Sequence, residues 1–273
     1  AKLLGRRWEQ LILDVWDEYF FFKQVEEYNH SNVNSLEKYD DGAELSDYEC
    51  KGNSFKAPLD DDNLRKLSYL HRYISHLYDQ GLESLLSPEQ AKEWSDLYEA
   101  TDAFTDGWLS AGRHKLEELQ RMNQLALQDE PQETLSGDGS GRCDDTVPAN
   151  QYNFLVTSGT LIPSIVKCLL YKLNPFFNPS NIFSSRAVGK LQCCRWIRDR
   201  FQSSDNFPKF CAKGDGPDES NAARVLAWPF VKISTDPDAP YQLPILSQRT
   251  VEEVLRATYW DSGTSQQRRH LPN

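Results

Sequence analysis

The chain has 273 residues, of which 39% are hydrophobic and 12% aromatic, and its formal net charge is −11. This apolar content excludes an intrinsically disordered protein and is enough for one large domain or two small ones. The longest apolar stretch, residues 161–177, is interrupted by two prolines and two lysines. Because a membrane-spanning helix needs about 20 mostly apolar residues, we expect a buried helix here and no membrane span.

Residues 1–128 are predicted to form helices. Apolar residues recur at helical spacing from Trp8 to Tyr28 and again from Leu64 to Leu77, which is typical of amphipathic helices. The aspartate triplet at residues 60–62 supplies N-cap chemistry for the second of these helices. Gly81 lies where a glycine commonly ends a helix.

The next helix has a sharper start. Ser87 is followed by a proline and, three residues later, by Gln90, which is the pattern of a capping box. An apolar face continues from Trp94 to Met122 and is predicted to break into a separate helix after Gly107 or Gly112. These segments together predict an acidic, up-and-down bundle of three or four helices.

The remainder of the chain is predicted to form a second, basic unit. Residues 129–150 are rich in Gly, Ser, Pro and acidic residues, and we expect a flexible linker or loop there. Residues 151–260 predict an irregular helical unit, and residues 261–273 a polar tail. Within residues 151–260, we expect helices near residues 152–173, 186–202, 220–228 and 248–260 and an extended piece at residues 230–233. The predicted fold is therefore mainly α, with two helical units joined by a polar acidic linker.

The charge divides at this linker. Residues 1–149 hold 15 basic and 31 acidic residues, whereas residues 150–273 hold 15 and 10, giving net charges of −16 and +5. Much of the positive charge falls in one predicted helix that also carries Trp196, and such a density of cations suits phosphates or an acidic protein surface. The candidate binding residues are Arg186, Lys190, Arg195, Arg198 and Arg200. They either dock on the acidic N-terminal unit, bind a protein partner or bind nucleic acid.

One pair of residues suggests a reaction. Arg65 and His71 are separated by five residues on one predicted helix, and Arg72 and His76 follow on the same helix. This spacing resembles the Arg-x4–6-His motif of the HEPN family of helical domains, many of which cleave RNA as dimers. The resemblance implies that the arginine holds a phosphate while the histidine moves a proton.

Other chemistry-bearing patterns are missing from the sequence. We find no nucleophile elbow, no Walker-type loop and no dinucleotide fingerprint. The aspartate clusters lack the alternating spacing of a calcium loop, and the Cys193-Cys194 pair has no CxxC partner. We therefore expect no metal site and no cofactor, with the six cysteines mostly reduced and buried.

These observations favour a non-catalytic function. We expect an adaptor or structural subunit of a multiprotein complex inside the cell, in the nucleus or the cytoplasm. It would bind protein partners through an aromatic-rich acidic surface and through the basic arginine helix. The alternatives are a nucleic-acid-binding module that uses the C-terminal basic helix and, third, a HEPN-like ribonuclease.

Overall fold

The structure, a computed structural model, describes residues 2–20, 30–44, 61–128, 152–202 and 208–234. Side chains at position 119 and at positions 122–128 are not described. The predicted linker at residues 129–150, the predicted helix at 248–260 and the polar tail at 261–273 lie outside these residues.

The described chain is mainly α-helical, as the sequence predicts. Its α-helices are α1 (Lys2–Tyr19), α2 (Asp61–Gln80), α3 (Pro88–Phe104), α4 (Trp108–Gln128), α5 (Leu161–Leu170), α6 (Lys190–Asp199) and α7 (Pro217–Val225). Short 3-10 helices span Val33–Tyr39, Leu82–Ser84 and Pro179–Asn181. The strands are β1 (Leu155–Thr157), β2 (Ile182–Ser184), β3 (Ala212–Gly214) and β4 (Phe230–Lys232).

Several helix ends follow from local sequence. The Ser87 side chain accepts a hydrogen bond from the N–H of Gln90, whose side chain accepts one from the Ser87 N–H, so the predicted capping box is confirmed. Gly81 and Gly107 adopt φ values of +80°, a region that L side chains rarely occupy. They separate α2 from the next 3-10 helix and α3 from α4, which places the predicted break after Gly107 and not after Gly112.

The structure corrects the start of the second unit. The helix predicted to begin at residue 152 is wrong, because Leu155–Thr157 is a strand and α5 begins only at Leu161. The predicted helix at 186–202 is shortened to Lys190–Asp199, since Gly189 precedes it with φ +79°. The extended piece at residues 230–233 is confirmed as β4.

The strands form two parallel pairs. Leu155 to Thr157 of β1 pair in register with Ile182 to Ser184 of β2, and Ala212 to Gly214 of β3 pair with Phe230 to Lys232 of β4. Parallel strands have their carboxyl ends at one edge. Helix α6 packs on β1 and along α7, and α7 packs on β3 and β4. The loops that follow β1 and β3 therefore lie near the first turns of α6 and α7.

One hydrophobic core joins the two predicted units. It combines buried residues of α1, α2 and α3 with α5, in which every side chain except the exposed Lys167 is buried. The Trp94 indole N–H donates to the Leu170 carbonyl at 2.7 Å, and the Tyr78 hydroxyl donates to the Phe177 carbonyl at 2.7 Å. The core thus does not divide at the predicted boundary between residues 128 and 151.

A smaller aromatic cluster joins the two strand pairs. Phe201 contacts Phe154, which precedes β1, and Phe210, which precedes β3, with ring centroids 6.0 and 5.9 Å apart. Phe210 in turn stacks on Trp228, with ring centroids 4.5 Å apart. Because Phe154 and Phe210 pack against the same buried cluster, the amino ends of β1 and β3 are held side by side.

Candidate functional site

An ion pair marks the edge where the strands end. Lys190, the first residue of α6, donates a hydrogen bond from Nζ to Oε1 of Glu219 in the first turn of α7. The two side chains are only 15% and 20% exposed. Water screens such a pair less than one on the open surface, so its attraction fixes the lysine position more firmly.

Two glycines allow Glu219 to occupy this position. Gly214 ends β3 and Gly216 directly precedes α7, so the two flank Asp215. A Cβ atom at Gly214 would lie 2.8 Å from Cγ of Glu219, and one at Gly216 would lie 2.5 Å from its Oε2. Both separations are too short for a real side chain. The Gly-Asp-Gly loop is therefore shaped around the carboxylate that holds Lys190, and Asp215 is left exposed at its centre.

The Glu219 carboxyl is ionised at neutral pH. Burial by itself raises its pKa, but the hydrogen bond from Lys190 and the attraction of that cation outweigh burial and lower the pKa below its ordinary value. The site thus contains a paired anion and cation and no uncompensated buried charge.

The loop after β1 is held by serines of β2 and its following turn. The Ser184 hydroxyl donates to the Gly159 carbonyl at 2.7 Å, and the Ser185 N–H donates to the Thr157 carbonyl at 2.7 Å. The Gly159 N–H donates to Oγ1 of Thr157 at 3.1 Å. These bonds leave the side chain of Ser158 exposed at the end of β1. Helix α5 begins directly after this loop, and its N-cap side chain makes no capping hydrogen bond.

The structure does not gather the five predicted cationic residues into one patch. Lys190 lies in the ion pair, whereas Arg186 and Arg195 are exposed. Arg198 donates from Nε and Nη2 to Asp199 at 2.9 and 2.8 Å. Arg200 donates to the Ser180 carbonyl at 2.9 Å and lies over the Phe183 ring. Since α6 is about 15 Å long, Arg200 is at the opposite end from Lys190.

Arg65 and His71 are also separated. Arg65 is exposed and pairs with Asp62 at 3.3 Å. His71 is 3% exposed, and its Nδ1–H donates to the Val33 carbonyl at 3.2 Å. Burial, with the neighbouring His30 ring, lowers the pKa of His71 to about 4, which keeps the imidazole neutral. A buried neutral ring without access to solvent is a core residue and not a general acid for an external phosphate.

Sequence reasoning missed Glu219 and the loops around it. The usable signal was a glycine-flanked aspartate just before Pro217, with acidic residues in the following turn. Proline at the first helical position and acids in the first turn are the marks of a helix start. This pattern does not indicate that Glu219 pairs with Lys190. Lys190 lies 29 residues before Glu219 in the sequence and begins helix α6, which packs beside α7.

Three further features concern the described part of the chain. No helix there is long and apolar enough to cross a membrane. Within the same residues, no three His, Cys, Asp or Glu side chains are grouped so as to hold a metal ion. Cys168, Cys193, Cys194 and Cys211 are free thiols.

The plant and animal proteins that the chain resembles carry the same name. No family model matches the chain. It is 43% identical over 261 residues to the protein phosphatase EYA of Arabidopsis thaliana, a match that covers 95% of this chain and 80% of that protein. It is 28% identical over 251 residues to the human protein phosphatase EYA1 and 25% identical over 251 residues to eya of Drosophila melanogaster. These two matches cover 86% and 85% of this chain but 38% and 29% of the relatives.

This similarity overturns the function predicted from the sequence. The three relatives are named as protein phosphatases, which are enzymes. The prediction of a non-catalytic adaptor, scaffold or complex subunit is therefore wrong. The nucleic-acid-binding and HEPN-like alternatives are withdrawn with it. Lys190 and Glu219, which meet at the strand ends, are 29 residues apart in the sequence and belong to no nucleophile elbow, Walker-type loop or dinucleotide fingerprint.

Proposed function

Since the chain belongs to the family of EYA protein phosphatases, we propose that it hydrolyses phosphate monoesters on proteins. The observation that carries this proposal is the 43% identity that extends over 95% of this chain. The reaction takes a phosphoprotein and water and yields the free side-chain hydroxyl and inorganic phosphate. It breaks a P–O bond, and catalysis depends on binding and neutralising the phosphoryl oxygens.

We place the phosphoryl group beside Lys190. Its ammonium has three N–H donors, and one of them is used by Glu219. The remaining two are available to phosphoryl oxygens, where a positive charge is stabilising as negative charge shifts in the transition state. Glu219 is then a positioning residue, because it holds the ammonium at the strand edge without contacting the substrate.

The loop after β1 supports the same placement. Ser158 has an exposed hydroxyl at the end of the strand, and the first N–H groups of α5 are not capped by the Thr160 side chain. Helix N-termini attract anions through such N–H groups and through the helix dipole. We propose that Ser158 and the start of α5 donate further hydrogen bonds to the phosphoryl oxygens.

The proposal also covers partner and location. The partner that it requires is a phosphoprotein substrate. We retain the intracellular location, nuclear or cytoplasmic, because the four described cysteines are free thiols and reduced thiols are typical of those compartments. A fluorescent fusion of the full-length protein, imaged in living cells, tests the location.

The direct test is phosphate release by the full-length protein from phosphorylated casein and from para-nitrophenyl phosphate. We expect Lys190→Met to lower kcat/KM about 100-fold on both, as loss of a charge-stabilising donor does elsewhere. Lys92→Met is the matched control, since Lys92 is an exposed lysine of α3. Equal activity of the two variants would refute the site, and absence of phosphate release by the unmodified protein would refute the function.

A further inference from the structure

A cleft lies at the amino ends of β1 and β2. Its volume is about 490 Å³, within the range of ordinary ligand sites. Tyr152 and Asn153 of its wall precede β1, and Asn181 directly precedes β2. Because each strand is about 10 Å long, the cleft lies a strand length away from the loops that surround Lys190 and Glu219.

Side-chain amides dominate this cleft. They come from α4, from the residues before β1 and from the segment between α5 and β2, and they belong to Gln120, Asn153, Asn174, Asn178 and Asn181. Asp79 is the one charged residue among the lining residues. A wall with no cation does not suit a phosphate or a nucleic acid.

Two of these amides form no side-chain hydrogen bond within the described residues. Asn153 and Asn174 are half-buried, yet their side chains form no hydrogen bond with the described part of the chain. Asn178 uses its Oδ1 for the N–H and the hydroxyl of Ser180, both at 2.9 Å. Each amide has two donors and one acceptor oxygen. The cleft therefore offers donors and acceptors side by side to a ligand.

The walls of the cleft are fixed in position. The Tyr78 hydroxyl is bonded to the Phe177 carbonyl at 2.7 Å, and Gln120 donates to the Pro175 carbonyl. These bonds tie α2 and α4 to the segment before β2. A site held in this way loses little conformational entropy when a ligand binds.

We infer that this cleft binds an extended, unphosphorylated segment of the protein substrate. A peptide backbone has the same N–H and C=O groups as the amides that would face it, and it needs no charge for recognition. Tyr152, whose side chain is 57% exposed at the rim, adds an aromatic surface for a side chain of that segment. The inference rests on the proposed function, since it assigns the cleft to recognition of the phosphoprotein away from the phosphate.

The test compares a protein substrate with a small one. In the full-length protein, we expect Asn153→Ala combined with Asn174→Ala to raise KM for phosphorylated casein at least 5-fold. Turnover of para-nitrophenyl phosphate, which is too small to reach both sites, should stay unchanged. Asn34→Ala is the matched control, because Asn34 is an exposed asparagine outside the cleft, and it should alter neither substrate.

Binding of dephosphorylated casein, followed by fluorescence anisotropy, separates this inference from the proposed function. We expect the double variant to weaken this binding at least 5-fold, whether or not the protein releases phosphate. Equal binding by the unmodified protein and the double variant would overturn the inference. An equal loss of activity on casein and on the small ester would also overturn it, since the cleft would then act on the catalytic site and not on substrate recognition.

Discussion

The hydroxyl of Ser184, at the end of β2, donates a hydrogen bond of 2.7 Å to the carbonyl of Gly159 in the loop after β1. Ser184 is fully buried. The bond joins the end of β2 to the loop after β1. It therefore fixes the position of Ser158, the residue next to Gly159. It belongs to the support of the site and not to the groups that would touch phosphate.

Loss of this bond should lower both stability and activity. Ser184→Ala leaves the Gly159 carbonyl without its donor, a cost of about 1–3 kcal/mol if water does not replace it. We expect kcat/KM for para-nitrophenyl phosphate to fall about 10-fold as the loop shifts. Ser75→Ala, which removes a 2.9 Å bond to the His71 carbonyl within α2, should leave kcat/KM unchanged. Identical kinetics for the two variants would contradict the role of Ser184.

A methyl group at Gly216 should displace the Glu219 carboxylate. The added Cβ would lie 2.5 Å from Oε2, and the carboxylate is the end of a flexible side chain that can move away. We therefore expect Gly216→Ala to lower kcat/KM for para-nitrophenyl phosphate about 10-fold.

Gly5→Ala is the control for that variant. A Cβ at Gly5 meets nothing within 4 Å, and alanine in a helix is favoured over glycine by roughly 0.5–1 kcal/mol. This variant should be slightly more stable in urea unfolding and equally active. A Gly216→Ala protein with unaltered kcat/KM would show that the Lys190–Glu219 pair is not needed.

The buried His71 predicts a loss of stability in mild acid. Burial lowers its folded-state pKa to about 4 from the ordinary histidine value of 6.5, so the unfolded chain binds the proton first. The contribution of His71 to the free energy of unfolding is fully present above pH 6.5 and decreases as the pH falls from 6.5 to about 4. Below about pH 4 it decreases no further. At pH 5 the loss is about 2 kcal/mol, which follows from 1.36 kcal/mol per pH unit.

Urea unfolding at pH 7 and pH 5 measures this effect. His71→Gln should be destabilised at pH 7 but should show a smaller decrease between the two pH values than the unmodified protein. His76→Gln is the control, because His76 is exposed on the same helix, and it should retain the full decrease. If all three proteins show the same pH dependence, the neutral buried state of His71 is refuted.

The shared core predicts that helices far apart in sequence stabilise each other. The Trp94 indole donates at 2.7 Å to the Leu170 carbonyl in a buried contact. Trp94→Phe leaves that carbonyl unpaired and should lower the free energy of unfolding by about 1–3 kcal/mol. Trp196→Phe, at a side chain 37% exposed, should change it by less than about 0.5 kcal/mol. Two separate unfolding transitions, with only one sensitive to Trp94, would contradict a single core.

The sequence by itself determined the features that depend on neighbouring residues. The capping box at Ser87, the helix end at Gly81, a helix break at Gly107 or Gly112, the buried apolar helix α5 and the extended piece of β4 were all predictable. Each is decided within a few positions, through hydrogen bonds between residues three or four apart or through a glycine at positive φ. Interactions of this range leave a pattern that can be recognised in one stretch of sequence.

Only the tertiary structure decided where the site lies and which polar residues are buried. Strands β1 and β3 have three residues each, too few for an alternating pattern, and they pair with residues 27 and 18 positions further along the chain. His71 of the predicted Arg65–His71 pair is buried in the core. Lys190, by contrast, pairs with Glu219, which lies 29 residues further along the chain. Parallel pairing orders β1 with β2 and β3 with β4, and the packing of α6 on α7 brings the two pairs together. These contacts join distant parts of the chain, so no local sequence pattern indicates them.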